Sequence, residues 1–239
     1  ERLAIKFGGQ SGQGINILGE FLSKGIKNSG YSTFAYREYP SIIKGGVASY
    51  QIDFSSYDIQ SSTQKCNILA CISESAIEKY TPTISKKGIL IHSLDGYKMS
   101  KENEKYIKEN NIQVIYIDTI KLTKECDAPP IMANIVMLGA LWNILSLPRK
   151  ILEKEIVKYF SKKDGIDIEA EKRCLSAGYQ NIKDIHIKNI PKSIKKGWEK
   201  SKILSGNQAI SLGAISAGCR AYYAYPMTPS TSILETLGD

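Results

Sequence analysis

The strongest constraint on the fold is an apolar run that empties into glycines and then turns helical. Residues 3–7 (LAIKF) lead into GGQSGQG at 8–14, after which Ile15, Leu18, Phe21, Leu22 and Ile26 recur at helical spacing as far as Asn28-Ser29-Gly30. A strand, a glycine-rich turn and a helix follow one another here. A second strand is expected around 32–36, and in 47–54 (VASYQIDF) alternation places Ala48, Tyr50, Ile52 and Phe54 on one face. NILACI (67–72) and GILIH (88–92) read as buried strands with a short helix, SESAIEKY, between them; a charged helical stretch near 100–109 precedes the apolar run IQVIYI (112–117). The alternation predicts an α/β fold with a Rossmann-like, largely parallel sheet and flanking helices.

Pro129-Pro130 introduces IMANIVMLGALWNILSL, expected as the most buried helix, and two further helical patterns lie near 150–160 and 167–180. The stretch from 183 is basic, contains Pro191 and lacks periodicity, as a linker does. From 206 an αβα pattern restarts: a helix at 207–218, a strand at 221–225, then a turn and a helix from Thr228. The expected organisation is a first domain at 1–182, a linker at 183–204 and the start of a second, truncated α/β domain at 205–239.

With 42% hydrophobic and 23% charged residues, the chain has the balance of a globular protein. No apolar run approaches the roughly 20 residues that span a bilayer, and ERLAIKF lacks the pattern of a secretory signal. A cytoplasmic location is therefore expected. The five cysteines form no CxxC pair, and His92 and His186 stand far apart, so no metal or iron–sulfur site is expected in this segment. The net charge of +8 comes from lysines spread along the chain without interleaved aromatics. That pattern argues against nucleic-acid recognition but is permissive for anionic ligands.

Three segments carry chemistry. In Gly8-Gly9-Gln10-Ser11-Gly12-Gln13-Gly14, glycines allow close backbone approach, and the following helix N-terminus offers N–H groups to an anion. The spacing satisfies neither the dinucleotide nor the P-loop fingerprint, and an ordinary tight turn accounts for it equally well. Arg37 and Lys44, with Gly45 and Gly46, place two cations beside a glycine pair and suit phosphate, although a solvated loop is the plainer account. In Tyr225-Pro226-Met227-Thr228-Pro229-Ser230, Pro229 suits a first helical turn and Thr228 its N-cap. A hydroxyl at such a position can also bond a carboxylate or a developing oxyanion.

In this order the segments resemble one family. GGQSGQGI, the loop ending Lys44-Gly45-Gly46 and NIVMLGALWNIL (134–145) look like the gamma domain of 2-oxoacid:ferredoxin oxidoreductases. GNQAISLGAISAGCRAYYAYPMTPST (206–231) looks like the opening of their pyrimidine-binding alpha domain, so the chain resembles a fused gamma–alpha subunit. It departs from the family in having Lys44 where Arg is frequent, which loses the bidentate fork, and Met227 where Ile is usual.

The resemblance implies coenzyme A-dependent oxidative decarboxylation of a 2-oxoacid (2-oxoglutarate, pyruvate or a related acid) to an acyl-CoA, with electrons passed to ferredoxin. It further implies thiamine diphosphate with Mg2+ and a [4Fe-4S] cluster held mainly by a partner beta subunit. Catalysis would then rest on Thr228, substrate contacts on Tyr225–Pro229, and phosphate binding on Gly8–Gly14, Arg37 and Lys44–Gly46; this segment alone would be inert. Two other readings stay open: a nucleotide-binding Rossmann-like reductase, and a non-catalytic assembly or ligand-binding module.

Overall fold

The computed structural model describes residues 1–39, 46–161, 163, 165–187, 190–191, 198–227 and 229–238. They form two compact units, Glu1–Lys200 and Ser201–Asp239.

The first unit is built on a six-stranded sheet of β1 (Arg2–Gln10), β2 (Ser32–Glu38), β3 (Val47–Ser55), β4 (Cys66–Cys71), β5 (Ile84–His92) and β6 (Gln113–Tyr116), in the order β2-β3-β1-β4-β5-β6. Strands β1, β4, β5 and β6 run parallel, while β3 pairs antiparallel with both β1 and β2. The expected α/β architecture is therefore present, with one reversed strand inserted beside β1.

Helix α1 (Ile15–Asn28) returns over the sheet and buries Ile15, Leu18, Phe21, Leu22 and Ile26, the residues its periodicity singled out. Behind it lie α4 (Thr119–Glu125), α5 (Ala133–Ile144), α6 (Arg149–Phe160) and α7 (Ile168–Asn181), which close the main core around fully buried Trp142. The opposite sheet face is covered by α2 (Glu74–Tyr80) and α3 (Lys101–Glu109), around Leu69, Ile77, Tyr80 and Leu90. Helix α5 is apolar all round and buried along most of its length, as a central helix must be.

Two glycines let α5 and α7 meet backbone to backbone. A Cβ on Gly139 would stand 2.2 Å from the Leu175 carbonyl oxygen, and one on Gly178 would stand 1.9 Å from that of Val136.

The apolar face of β3 is backed by a face of Ser49, Gln51, Asp53 and Ser55 that is also buried. Buried polar groups need partners, and Asp53 has five bonds: from Arg2 Nε (3.1 Å) and Nη2 (2.9 Å), Gln51 Nε2 (3.0 Å), and the backbone N–H (3.0 Å) and hydroxyl (2.7 Å) of Thr63.

The tail of the unit is part of its wall. Ile182 is buried, Ile185, Ile187 and Ile190 pack on the main core, and the Pro191 carbonyl accepts the Tyr31 hydroxyl at 2.9 Å. The segment expected as a free linker from 183 thus begins as packed chain, its apolar residues being spaced among the lysines.

The second unit contains α8 (Gly206–Ser216) and α9 (Thr231–Gly238). Ser205 and Gln208 form a reciprocal cap at the start of α8. The strand expected at 221–225 is not formed: these residues are exposed and extended pairing needs a neighbouring strand, which the described residues of this unit do not supply. Helix α9 starts three residues later than expected; just before it the Pro229 carbonyl accepts from Asn207 Nδ2 at 2.7 Å, and the same amide bonds Ser232 Oγ. No helix among the described residues is long and apolar enough to cross a membrane.

Candidate functional site

The strand order reverses between β1 and β4: from β1 the chain goes to the edge strand β2 and back to β3 on one side, then from β4 outward to β5 and β6 on the other. At such a point neighbouring loops leave the carboxyl ends of parallel strands in opposite directions and open a crevice. The Gly8–Gly14 segment departs from β1 here, and the Ile72 N–H bonds the Gly8 carbonyl at 3.1 Å, which sets the ends of β1 and β4 side by side.

Each glycine of the segment has its own reason. A Cβ on Gly8 would press on Ala76 and the Tyr80 ring at 3.1 Å, so Gly8 admits α2 against the sheet. One on Gly9 would collide with the Ile15, Gln13 and Ile72 side chains within 2.9 Å. Gly12 (φ 92°) and Gly14 (φ 77°) take left-handed backbone, and space beside Gly12 is open.

The loop is also tied down. Gln13 Oε1 accepts the Gln10 N–H at 2.6 Å, the Ser11 N–H reaches the Gly46 carbonyl at 3.1 Å, and Asn134 of α5 donates to the Gln13 carbonyl at 2.8 Å. Gly14 caps α1 with no side-chain bond and no acidic residue follows in the first turn. The early N–H groups of α1, which have no intrahelical acceptor, therefore meet no competing protein charge from that turn.

The remaining expected residues are placed as follows. Arg37 lies on β2 with Nη2 at 3.0 Å from Glu20 Oε1 of α1 and its guanidinium over the Tyr50 ring at 5.3 Å. Its charge is engaged by α1 and not by the glycine loop. Gly46 (φ 83°) touches the loop through Ser11. Lys44 and Gly45 lie outside the described residues, as does Thr228. In the second unit, Tyr225 and Met227 are 79% and 62% exposed, and Pro226 and Pro229 are exposed as well.

Sequence reasoning did not single out a buried polar group beside this edge of the sheet. Lys6, 5% exposed, holds its ammonium 4.9 Å from the centre of the Tyr80 ring, which Lys79 also approaches at 4.9 Å. Glu38 accepts from the Ser49 hydroxyl at 3.1 Å. Burial acts to raise the Glu38 carboxyl, but Lys6, the Tyr80 and Ser49 hydroxyls and Lys79 outweigh it and hold it below the usual range. Burial raises the Tyr80 phenol, whose hydroxyl has no partner of ordinary geometry. Glu38 and Lys79 also line an open cleft of about 570 Å³ with Tyr36, Tyr39 and Val47. The one sequence signal was a lysine inside the apolar run LAIKF. Asn134, which holds the loop, opens the apolar helix and carried no separate signal.

Among the described residues, no three His, Cys, Asp or Glu side chains converge where they could hold a metal ion. These described side chains do not supply the donor set of a cluster or of Mg2+.

These features define an α/β domain with a glycine-rich loop at its switch point. The chain belongs to the pyruvate ferredoxin/flavodoxin oxidoreductase family, which it matches over residues 4–181. It is 23% identical over 265 residues to a 2-oxoacid:ferredoxin oxidoreductase subunit alpha from a Sulfolobus species, an alignment covering 96% of this chain and 41% of that one. It is 27% identical over 187 residues to the 2-oxoglutarate synthase subunit KorC of Methanocaldococcus jannaschii, covering 77% of this chain and 96% of that subunit. The chain thus spans about two fifths of the alpha subunits it matches, and most of it corresponds to a separate subunit elsewhere. In fold it is similar to 2-oxoglutarate:ferredoxin oxidoreductase from Magnetococcus marinus, solved with 2-oxoglutarate, coenzyme A and succinyl-CoA. That likeness has a TM-score of 0.84 at 22% identity, over 100% of this chain and 41% of that chain.

Proposed function

We propose that the first unit is the gamma portion, and the second unit the opening of the alpha portion, of a 2-oxoacid:ferredoxin oxidoreductase. The complete cytoplasmic enzyme converts a 2-oxoacid and coenzyme A to an acyl-CoA and CO2, passing electrons to ferredoxin. The observation that carries this reading is the Gly8–Gly14 loop at the ends of β1 and β4, in a chain whose relatives include both alpha subunits and the separate subunit KorC.

The loop suits a phosphate of coenzyme A. Gly12 leaves open space, and the Asn16 and Ile17 N–H groups at the start of α1 can donate to an anion. Lys44, three positions from β3, would add a point charge. Thiamine diphosphate activates the 2-oxoacid carbonyl in this chemistry, and with Mg2+ and a [4Fe-4S] cluster it belongs to a partner beta subunit in this reading. This chain would contribute Thr228, flanked by Tyr225, Pro226, Met227 and Pro229, to orient the substrate carboxylate or carbonyl. The names of the relatives favour 2-oxoglutarate over pyruvate as the acid.

A second reading keeps support from the loop's internal closure: Gln13 folded on Gln10, and Arg37 engaged by Glu20, are what a bracing module without a ligand would also have.

The test is viologen reduction by the full-length protein with its beta subunit, over a panel of 2-oxoacids with and without coenzyme A. The proposal expects coenzyme A-dependent reduction with one preferred acid. It also expects Gly12→Val, which strains a left-handed position, to raise the KM for coenzyme A about tenfold or more, roughly 1.4 kcal/mol of binding. An unchanged KM together with weakened subunit assembly would favour the bracing module.

A further inference from the structure

The sheet face opposite α1 carries a group of polar side chains in which the glycine loop has no part. Two rows cross it in register: Gly8 of β1, Ser49 of β3 and Glu38 of β2, and beside them Lys6, Gln51 and Tyr36. Alternation along each strand puts both rows on one side. Gly8 leaves the space of a side chain, and the Tyr80 ring of α2 fills it, 3.1 Å from where a Cβ would stand.

Two ammonium groups meet on that ring. Lys6 is buried and Lys79 is exposed on α2, and each holds its Nζ 4.9 Å from the ring centre. They therefore stand within twice that distance of each other. Neither has a carboxylate in ion-pair contact or a hydrogen-bond acceptor among the described residues. An ammonium taken out of water is costly unless an anion or an acceptor is near, and a ring face is a weak substitute. The Tyr80 hydroxyl, buried as well, makes no hydrogen bond of ordinary geometry.

The charges on this face do not cancel. Lys6 and Lys79 set against Glu38 leave one positive charge, while Arg37 is balanced by Glu20 at 3.0 Å. Beside them opens the cleft of about 570 Å³ lined by Tyr36, Glu38, Tyr39 and Lys79, which is within the size range of small-molecule sites. Donors without acceptors and an unbalanced positive charge, at the wall of such a cleft, call for an anion rich in oxygen.

We propose that this cleft binds a nucleoside monophosphate whose base carries an amino group, with its phosphate held by Lys79, Lys6 and the Tyr80 hydroxyl. Lysine meets phosphate as a point charge. Tyr36 and Tyr39, both exposed, offer faces on which a planar base stacks. Glu38 Oε2 accepts the Ser49 hydroxyl at 3.1 Å, and a carboxylate has capacity for further bonds, which the amino group of the base fills. Neither the Gly8–Gly14 loop nor Thr228 takes part, so this inference stands apart from the proposed enzymatic activity.

Isothermal titration of the full chain with AMP tests it. The expected result is saturable one-to-one binding, with inorganic phosphate alone weaker because it lacks the ring. Lys79→Ala should weaken AMP binding about tenfold or more, and Tyr80→Phe, which keeps the ring, about fivefold. Lys150→Ala, on the exposed side of α6, removes the same charge and should leave AMP binding unchanged. UMP, which lacks the amino group, should bind more weakly than AMP to the parent, and this preference should vanish in Glu38→Ala. Absence of saturable binding, equal losses in Lys79→Ala and Lys150→Ala, or phosphate or UMP binding as tightly as AMP would overturn the proposal.

Discussion

Glu171 offers a quantitative check on the core. It sits in the first turn of α7, 4% exposed, with Oε2 buried and without a hydrogen bond. Burial first, and the nearby Asp167 charge second, push its carboxyl from 4.5 to about 7. The helix N-terminus favours the charged form, but only by about 0.3–1 kcal/mol, so desolvation wins. Raising the carboxyl from 4.5 to about 7 corresponds to roughly 3 kcal/mol against the charged form. The sign follows from proton linkage: between about 4.5 and 7 the folded chain keeps a proton that the unfolded chain releases, so this group lowers stability as pH rises. Below 4.5 the penalty is absent, and above 7 it is complete. Glu171→Gln removes the ionisation while leaving an unpaired buried amide, at a cost of about 1 kcal/mol. The variant should therefore be less stable than the parent near pH 4.5 and more stable by about 2 kcal/mol above pH 7. Urea denaturation followed by the emission of buried Trp142 measures both proteins across this range, and the difference between them cancels the other titrating groups. A difference that stays constant with pH refutes the reasoning.

Three further outcomes are expected. Gly178→Ala drives a Cβ onto the Val136 carbonyl, a backbone atom that cannot swing aside, and should lower stability by about 3 kcal/mol in the same urea assay. Asp53→Ala leaves the guanidinium of Arg2 without its carboxylate and the Thr63 N–H without its acceptor, while the Thr63 hydroxyl keeps the Lys65 carbonyl; roughly 4 kcal/mol of stability should be lost, whereas a neutral result would mean water replaces the carboxylate. Thr228→Ala, with α9 opening only at Thr231, should leave the denaturation midpoint in place while kcat/KM in the assembled enzyme falls by about two orders of magnitude. An unaltered kcat/KM would remove Thr228 from the reaction.

The sequence was most legible where one signal had one cause. Periodicity located α1 and the buried face of β3, because both follow directly from burying one side of an element. It did not locate α4, seven residues long, whose charges interrupt any apolar pattern. Nor did it reveal that the polar face of β3 is buried, since Ser49, Gln51 and Asp53 look solvated until Arg2 and Thr63 arrive from elsewhere in the chain. The alternating AYYAY read as a strand, yet pairing depends on a neighbour that local pattern cannot report. In the candidate site the glycine loop was readable from its composition. The engagement of Arg37 by Glu20, and the hold of Asn134 on Gln13, span 17 and 121 positions and depend on the fold. Gly139 was visible only as a letter within a motif; its meaning is the carbonyl it faces.

That helix crossing has a kinetic consequence. Where Gly139 and Gly178 bring two backbones into contact, there is no layer of side chains to loosen, so α5 and α7 cannot breathe apart by rotamer changes. Amide hydrogens in the middle of both helices should then exchange with deuterium at one shared rate, set by opening of the whole unit. Those of the short α4 beside them should exchange sooner.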